Sequence, residues 1–242
     1  MIGLGTIVNV VAIVLGGTAG TLLKTGLPKR YKEIIMQAIG LSVIILGISG
    51  TLQGTYKVIE GGKLDRLYIM TMIFSLVIGG LIGEFFNIED KLDKLGMWFQ
   101  KRLAGGGGNF AEGFVTASLV YCIGAMGILG SLQDGLTGNT NTLFAKAILD
   151  GVSAIVFAAS MGIGVAFAAL PVLIYQGGIT LLAESIKFLL VDCVIAQMSL
   201  VGSILILSIG FNILEIKKIK VGNLLPSIFV PLIYYAIKCL IK

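Results

Sequence analysis

The run Ala12-Ile13-Val14-Leu15-Gly16-Gly17-Thr18-Ala19-Gly20 sits in an apolar stretch with no charged residue before Lys24, and its small residues Ala12, Gly16 and Gly20 fall four apart. Residues at that spacing share one face of a helix. In lipid, apolar side chains gain nothing by leaving the solvent, so small residues on one face act by letting two helix backbones approach closely. The pattern recurs. Ser75, Gly79 and Gly83 repeat it, as do Ala154, Ala158 and Gly162, and more weakly Gly202 and Gly210 with Ile206 between them. Four packing helices are predicted on these stripes, and the rest of the chain is placed around them.

Composition agrees. The 242 residues are 56% hydrophobic and 13% charged, with a mean hydropathy of +0.99, far from the balance of a soluble domain. An all-α, polytopic transmembrane helical bundle is expected, read as a single transmembrane domain over residues 1–242. The missing basic residues before Lys24 argue against a cleaved leader, so the first apolar stretch reads as a retained span. The net charge of +5 does not point to nucleic acid, because the basic residues collect between apolar runs, as in cytoplasmic loops. There is no His, and Cys122, Cys193 and Cys239 are isolated. That excludes the usual zinc, haem and iron–sulfur ligand patterns and a histidine-based triad. No cofactor is expected, and an enzyme is not.

A span needs about 20 mostly apolar residues. Spans are predicted over residues 2–23, 31–52, 67–86, 110–132, 143–167, from Pro171 onward, 194–214 and 225–241, about eight in all, or seven if the long run at 143–186 holds one broken helix. Lys24, Lys29, Arg30 and Lys32 flank the first connection and place it inside, with both termini outside. Residues 88–103 carry apolar positions at helical spacing opposite Lys and Asp, predicting an amphipathic helix at the interface. The glycine run at 105–108 makes residues 104–109 a flexible linker, and residues 133–142, without Lys or Arg, read as an outer loop. Val10-Val11-Ala12-Ile13-Val14 echoes Val152-Ser153-Ala154-Ile155-Val156, and Gly47-Ile48-Ser49-Gly50-Thr51-Leu52-Gln53 echoes Gly127-Ile128-Leu129-Gly130-Ser131-Leu132-Gln133. Internal two-helix repeats in one orientation account for both.

Superposing the repeats brings Asn9, Gly151 and Ser199 to one level, with Thr71 and Asp150 one position away. Asp150 is the most informative, because a carboxylate inside an apolar helix costs several kcal/mol unless it is paired, protonated, or faces water or a cation. Its plain partner is Lys146, one turn earlier. Gln53, Gln133 and Asp134 are expected to end their helices on the outer side. With Asn9 and Asp150 they outline a net-negative, oxygen-rich path suited to a hard cation such as sodium. Gln176 and Gln197 are further inward-facing candidates. Glycine pairs at Gly16-Gly17 and Gly177-Gly178 would free backbone carbonyls if the helices unwound there. Serines and threonines, which commonly bond back to their own helix, receive no role.

Gly5-Thr6-Ile7-Val8-Asn9, Gly130-Ser131-Leu132-Gln133-Asp134-Gly135, Leu149-Asp150-Gly151 and Leu170-Pro171-Val172-Leu173-Ile174-Tyr175-Gln176-Gly177 together resemble the DUF554 family of integral membrane proteins. The resemblance covers nearly the whole chain. It implies a multi-pass protein of the bacterial inner membrane and, from the label that family has carried, a sodium channel or pump. Asn9, Gln133, Asp134, Asp150 and Gln176 fall on its motif positions. The expected partners are the lipid bilayer, a small cation such as sodium, and a second copy if the stripes also serve oligomers. Transport of a small organic or anionic solute at helix N-termini, or a regulatory role without transport, are the alternatives.

Overall fold

The computed structural model describes residues 2–24, 29–58, 62–103, 110–122 and 125–240. The predicted linker at 104–109 and Pro28 lie outside the described residues. The helices are α1 (Leu4–Lys24), α2 (Lys29–Thr55), α3 (Ile69–Phe86), α4 (Ile88–Leu103), α5 (Phe110–Cys122), α6 (Ala125–Thr137), α7 (Asn141–Met161), α8 (Gly164–Phe167), α9 (Ala169–Leu181), α10 (Ala183–Ile186), α11 (Asp192–Ile213), α12 (Val221–Leu224) and α13 (Val230–Leu240), the last entered through a 3-10 turn at Leu225–Phe229. A short antiparallel hairpin, β1 (Tyr56–Val58) with β2 (Leu64–Arg66), follows α2 and pairs Tyr56 with Arg66. Among the described residues seven helical segments are long and apolar enough to cross a membrane, two of them composite (Gly164–Leu181, α8 with α9, and Val221–Leu240, α12 through α13), and α5 with α6 forms one further pair bent by 61°. The chain is an all-α helical bundle, and α4 follows the amphipathic pattern of residues 88–103.

The residues divide into two compact units, Met1–Ile39 with Asp90–Lys187, and Gly40–Glu89 with Phe188–Lys242. In the first, α1 lies against α7. A Cβ on Gly16 would stand 2.2 Å from the Gly151 carbonyl oxygen, and one on Gly20 would stand 2.2 Å from that of Ile155 and 2.9 Å from the Ala158 Cβ. A Cβ on Gly151 would stand 3.2 Å from the Ala12 Cβ. Gly5 meets Leu143, Gly16 meets Ala154 and Gly20 meets Ala158, always 138 positions apart, so α1 and α7 run parallel.

In the second unit, Gly47 of α2 closes on the Leu207 backbone, while Gly79 and Gly83 of α3, beside buried Ser75, close on Ser227 and Asn223. Glu84 accepts from Lys220 at 2.7 Å and from Asn223 Nδ2 at 2.6 Å. The Glu89 carboxylate accepts from the Gly222 N–H, and its own N–H donates to Asn223 Oδ1. These bonds tie the α3–α4 corner to α12.

Four sequence expectations are corrected. The fourth span is not continuous. Its halves nevertheless advance along one neighbour: Gly113 meets Met161 and Val165, Gly127 faces Gln176, and Gly135 meets Thr180 and Ala183. The two halves therefore advance in one direction along that neighbour. The outer loop of residues 133–142 shrinks to the few residues between α6 and α7, because α6 runs on to Thr137. The fifth span ends at Met161 rather than near 167, and Gly162 ends it with φ of +90° instead of extending a packing stripe. Both Gly16-Gly17 and Gly177-Gly178 lie in unbroken helix. The room that Gly16 and Gly17 leave is filled by the backbones of Gly151 and Ala166.

Candidate functional site

Three of the sequence candidates converge in the first unit. Asn9 of α1 donates from Nδ2 to Asp150 Oδ2 of α7 at 3.0 Å and to Gln176 Oε1 of α9 at 3.2 Å. Lys146, one turn before Asp150 on α7, donates to the same carboxylate oxygen. Asn9 and Gln176 are 0% exposed, Lys146 6% and Asp150 7%, so the ion pair lies inside the protein. The α1–α7 register makes this possible. The small stripe brings the two backbones together, and Asn9 then spans the gap to Asp150.

Gly127, in the first turn of α6, faces the group from the other side. A Cβ there would stand 3.6 Å from the Lys146 Cε, 3.7 Å from a Tyr175 ring carbon and 3.8 Å from Gln176 Nε2. Cys122, at the end of α5, lies within electrostatic range of Lys146 and Asp150. The end of α5 and the first turn of α6 thus both lie near the buried ion pair. Interrupted spans in membrane proteins are tolerated where they are covered by protein or line a cavity.

The hydrogen bonding is incomplete. Asn9 Oδ1 and Gln176 Nε2 are buried without a partner, as are the hydroxyls of Thr6, Ser131, Ser160 and Thr180. Each such atom costs about 1–3 kcal/mol when left unmet. Most hydroxyls here avoid that cost: those of Thr18, Thr21, Thr51, Thr55, Ser118, Thr137, Ser203 and Ser208 all bond to carbonyls one turn back.

Two candidates fall elsewhere. Gln133 is exposed and accepts from the Thr142 hydroxyl at 2.7 Å, stapling α6 to the start of α7. Asp134, 0% exposed, accepts from the N–H groups of Gly3 at 3.0 Å and Gly5 at 3.1 Å. It caps the N-terminus of α1, where a carboxylate meets both free donors and the positive end of the helix dipole. Gln53, Gln197, Ser199 and Thr71 belong to the second unit. Back-bonding, the usual fate of span hydroxyls, does not hold for Thr6, Ser131 and Thr180. The signal was spacing: Thr6 precedes Asn9 by one turn, and Thr180 follows Gln176 by one turn, so each extends a polar face.

Apolar spans of this number, with a buried polar core in one unit, define a multi-pass helical membrane protein. Residues 4–236 match the family model described as "Protein of unknown function (DUF554)", and the chain belongs to that family. It is 40% identical over 227 residues, 94% of this chain and 93% of the relative, to "Uncharacterized membrane protein YdfK" of Bacillus subtilis (strain 168). It is 30% identical over 230 residues, 93% of each chain, to "Uncharacterized protein YqgA" of Escherichia coli (strain K12). No solved structure matches the chain.

Proposed function

We propose that the protein is a transporter or channel of the bacterial plasma membrane, not an enzyme, and that it moves a small cation such as sodium through the Asn9–Asp150–Gln176 group. The observation that carries this reading is a carboxylate buried within a span, neutralised by a lysine of its own helix, with an unpaired amide oxygen beside it. Intramembrane carboxylates are costly and rare, and those that are kept commonly mark ion pathways. Here the Lys146 ammonium is a tethered cation, occupying the place beside Asp150 that a mobile ion takes when the lysine withdraws. Asn9 Oδ1 and Gln176 Oε1 supply neutral oxygens of the kind that replace a hard ion's water. Eight crossings, with the broken span counted as one, keep both termini on one side, and the basic first connection favours the outside for them.

Flux in proteoliposomes tests the assignment. Asp150→Asn keeps the shape and removes the charge, and sodium flux is expected to fall at least about tenfold, equivalent to about 1.4 kcal/mol. Unchanged flux in a folded variant would remove Asp150 from the pathway. One observation favours a second reading. Lys146 and the unpaired Gln176 Nε2 are donors that face the first turn of α6, a set suited to a carboxylate-bearing solute. Thermal stabilisation by organic anions, with none from sodium, would select that reading.

A further inference from the structure

Most of the unpaired polar atoms of the first unit fall in one group, and the Ser160 hydroxyl, near the C-terminal end of α7, lies apart from it. Asn9 meets Gln176 while Gly17 meets Ala166, so α1 is antiparallel to the α8–α9 segment. Thr6, one turn before Asn9, and Thr180, one turn after Gln176, are therefore displaced in the same direction, toward the N-terminal end of α1. On α6, Gly127 faces Gln176 and Gly135 faces the Thr180 carbonyl. Ser131 lies midway between them on the same i, i+4 face, against the α9 turn that joins Gln176 to Thr180. The hydroxyls of Thr6, Ser131 and Thr180 are buried, 2%, 0% and 3% exposed, and none has a hydrogen-bond partner. At the far end of this row Asp134 closes on the N–H groups of Gly3 and Gly5.

Helices usually satisfy span hydroxyls by back-bonding, as Thr18 and Thr21 do on this same α1. Three hydroxyls that do not, on three helices and in one file, have kept their capacity for another oxygen-seeking species. We infer that Thr6, Ser131 and Thr180 line an access path for water and a small monovalent cation, leading from the N-terminal end of α1 to Asn9 and Asp150. Between Asp134, held by the Gly3 and Gly5 N–H groups at the outer end, and Asp150 the hydroxyls are uncharged, so the path passes a partly hydrated cation without trapping it, and the Asp150 carboxylate at its inner end supplies the binding. This rests on the cation reading of Asp150 for its destination, but the path's accessibility is separately measurable.

Silver ion is the probe, a monovalent cation near sodium in size that binds thiolates. With Cys122, Cys193 and Cys239 replaced by Ala, the single variants Thr6→Cys, Ser131→Cys and Thr180→Cys are reconstituted in liposomes. They are exposed to silver nitrate on the side of the α1 N-terminus, then denatured and labelled with maleimide. Silver is expected to protect all three, and to leave Val172→Cys, on the same α9 and 0% exposed, fully labelled. Protection no greater than at Val172→Cys would overturn the path. The isosteric variants Thr6→Val and Thr180→Val guard against misfolded cysteine variants. Both should melt at or above the parent's temperature, since each removes an unpaired hydroxyl, while sodium flux falls several-fold. Unchanged flux would overturn the path as well. If silver protects the file but Asp150→Asn leaves flux intact, the path stands and the Asp150 assignment fails. If Asp150→Asn abolishes flux while the file is unprotected, the reverse holds.

Discussion

Removing the Lys146 ammonium exposes the balance of the buried site. In Lys146→Met the side chain keeps its length and apolar stem, but Asp150 retains only the Asn9 donor in a setting 7% exposed. Breaking a buried ion pair from one side costs about 3–5 kcal/mol, because the remaining charge stays desolvated. For a chain of this size that corresponds to a fall of about 6–20 °C in melting temperature. If the lysine stands where a mobile cation binds, sodium should fill the gap. At about 100 times its dissociation constant a ligand returns about 2.7 kcal/mol, most of the loss, whereas choline returns nothing. Lys146→Met with Asp150→Leu removes both charges and should recover most of the stability without salt, as buried pairs replaced by apolar residues commonly do. The assay is thermal unfolding in detergent, in sodium and in choline chloride. A loss that sodium does not offset would refute the cation reading while leaving the ion pair in place, and melting within about 2 °C of the parent would refute the burial argument itself.

The glycines on either side of the site should behave oppositely. Gly16→Ala puts a Cβ 2.2 Å from the Gly151 carbonyl oxygen, which forces α1 from α7 at a cost of about 1–3 kcal/mol and weakens the Asn9–Asp150 bond, so both melting temperature and flux fall. Gly127→Ala meets its neighbours at 3.6 to 3.8 Å. It should keep or raise stability through helix propensity, by up to about 1 kcal/mol, yet lower flux by filling the space before Gln176. Asp134→Ala leaves the N–H groups of Gly3 and Gly5 unmet, costing about 0.5–2 kcal/mol; amide exchange should rise at the start of α1, with Asp134→Asn intermediate.

Much of the site was legible because its determinants are local or periodic. Lys146 is found from Asp150 by counting one helical turn, and the level of Asn9 follows from comparing two helices that carry similar stripes. Gln133 and Asp134 show where this reasoning stops. They are adjacent, so a helix points them about 100° apart, and only one can face the bundle. Which one does so depends on how α6 is rotated against α1 and α7, and residue spacing does not encode that rotation. The result is a surface staple for Gln133 and a buried cap for Asp134. The broken fourth span was hidden for a similar reason. Tyr121-Cys122-Ile123-Gly124-Ala125 contains no proline and reads as uninterrupted apolar helix.

By itself the amino-acid sequence determined the medium and the contacts. Apolar runs of spanning length require a bilayer, and small residues four apart require close backbones, as at Ala12, Gly16 and Gly20. Tertiary structure alone decided which polar atoms would meet. Asn9, Asp150 and Gln176 come from three helices, and their convergence depends on a parallel α1–α7 register and an antiparallel α1–α9 pairing. The same packing leaves Thr6, Ser131 and Thr180 without partners, and Ser75, Ser160 and Ser199 also have none, while others such as Thr18, Thr21 and Ser118 bond back to their own helices. Whether a hydroxyl is satisfied depends on the fold around it, because back-bonding is open to every serine and threonine in a helix and only the neighbouring helices determine what else lies within reach.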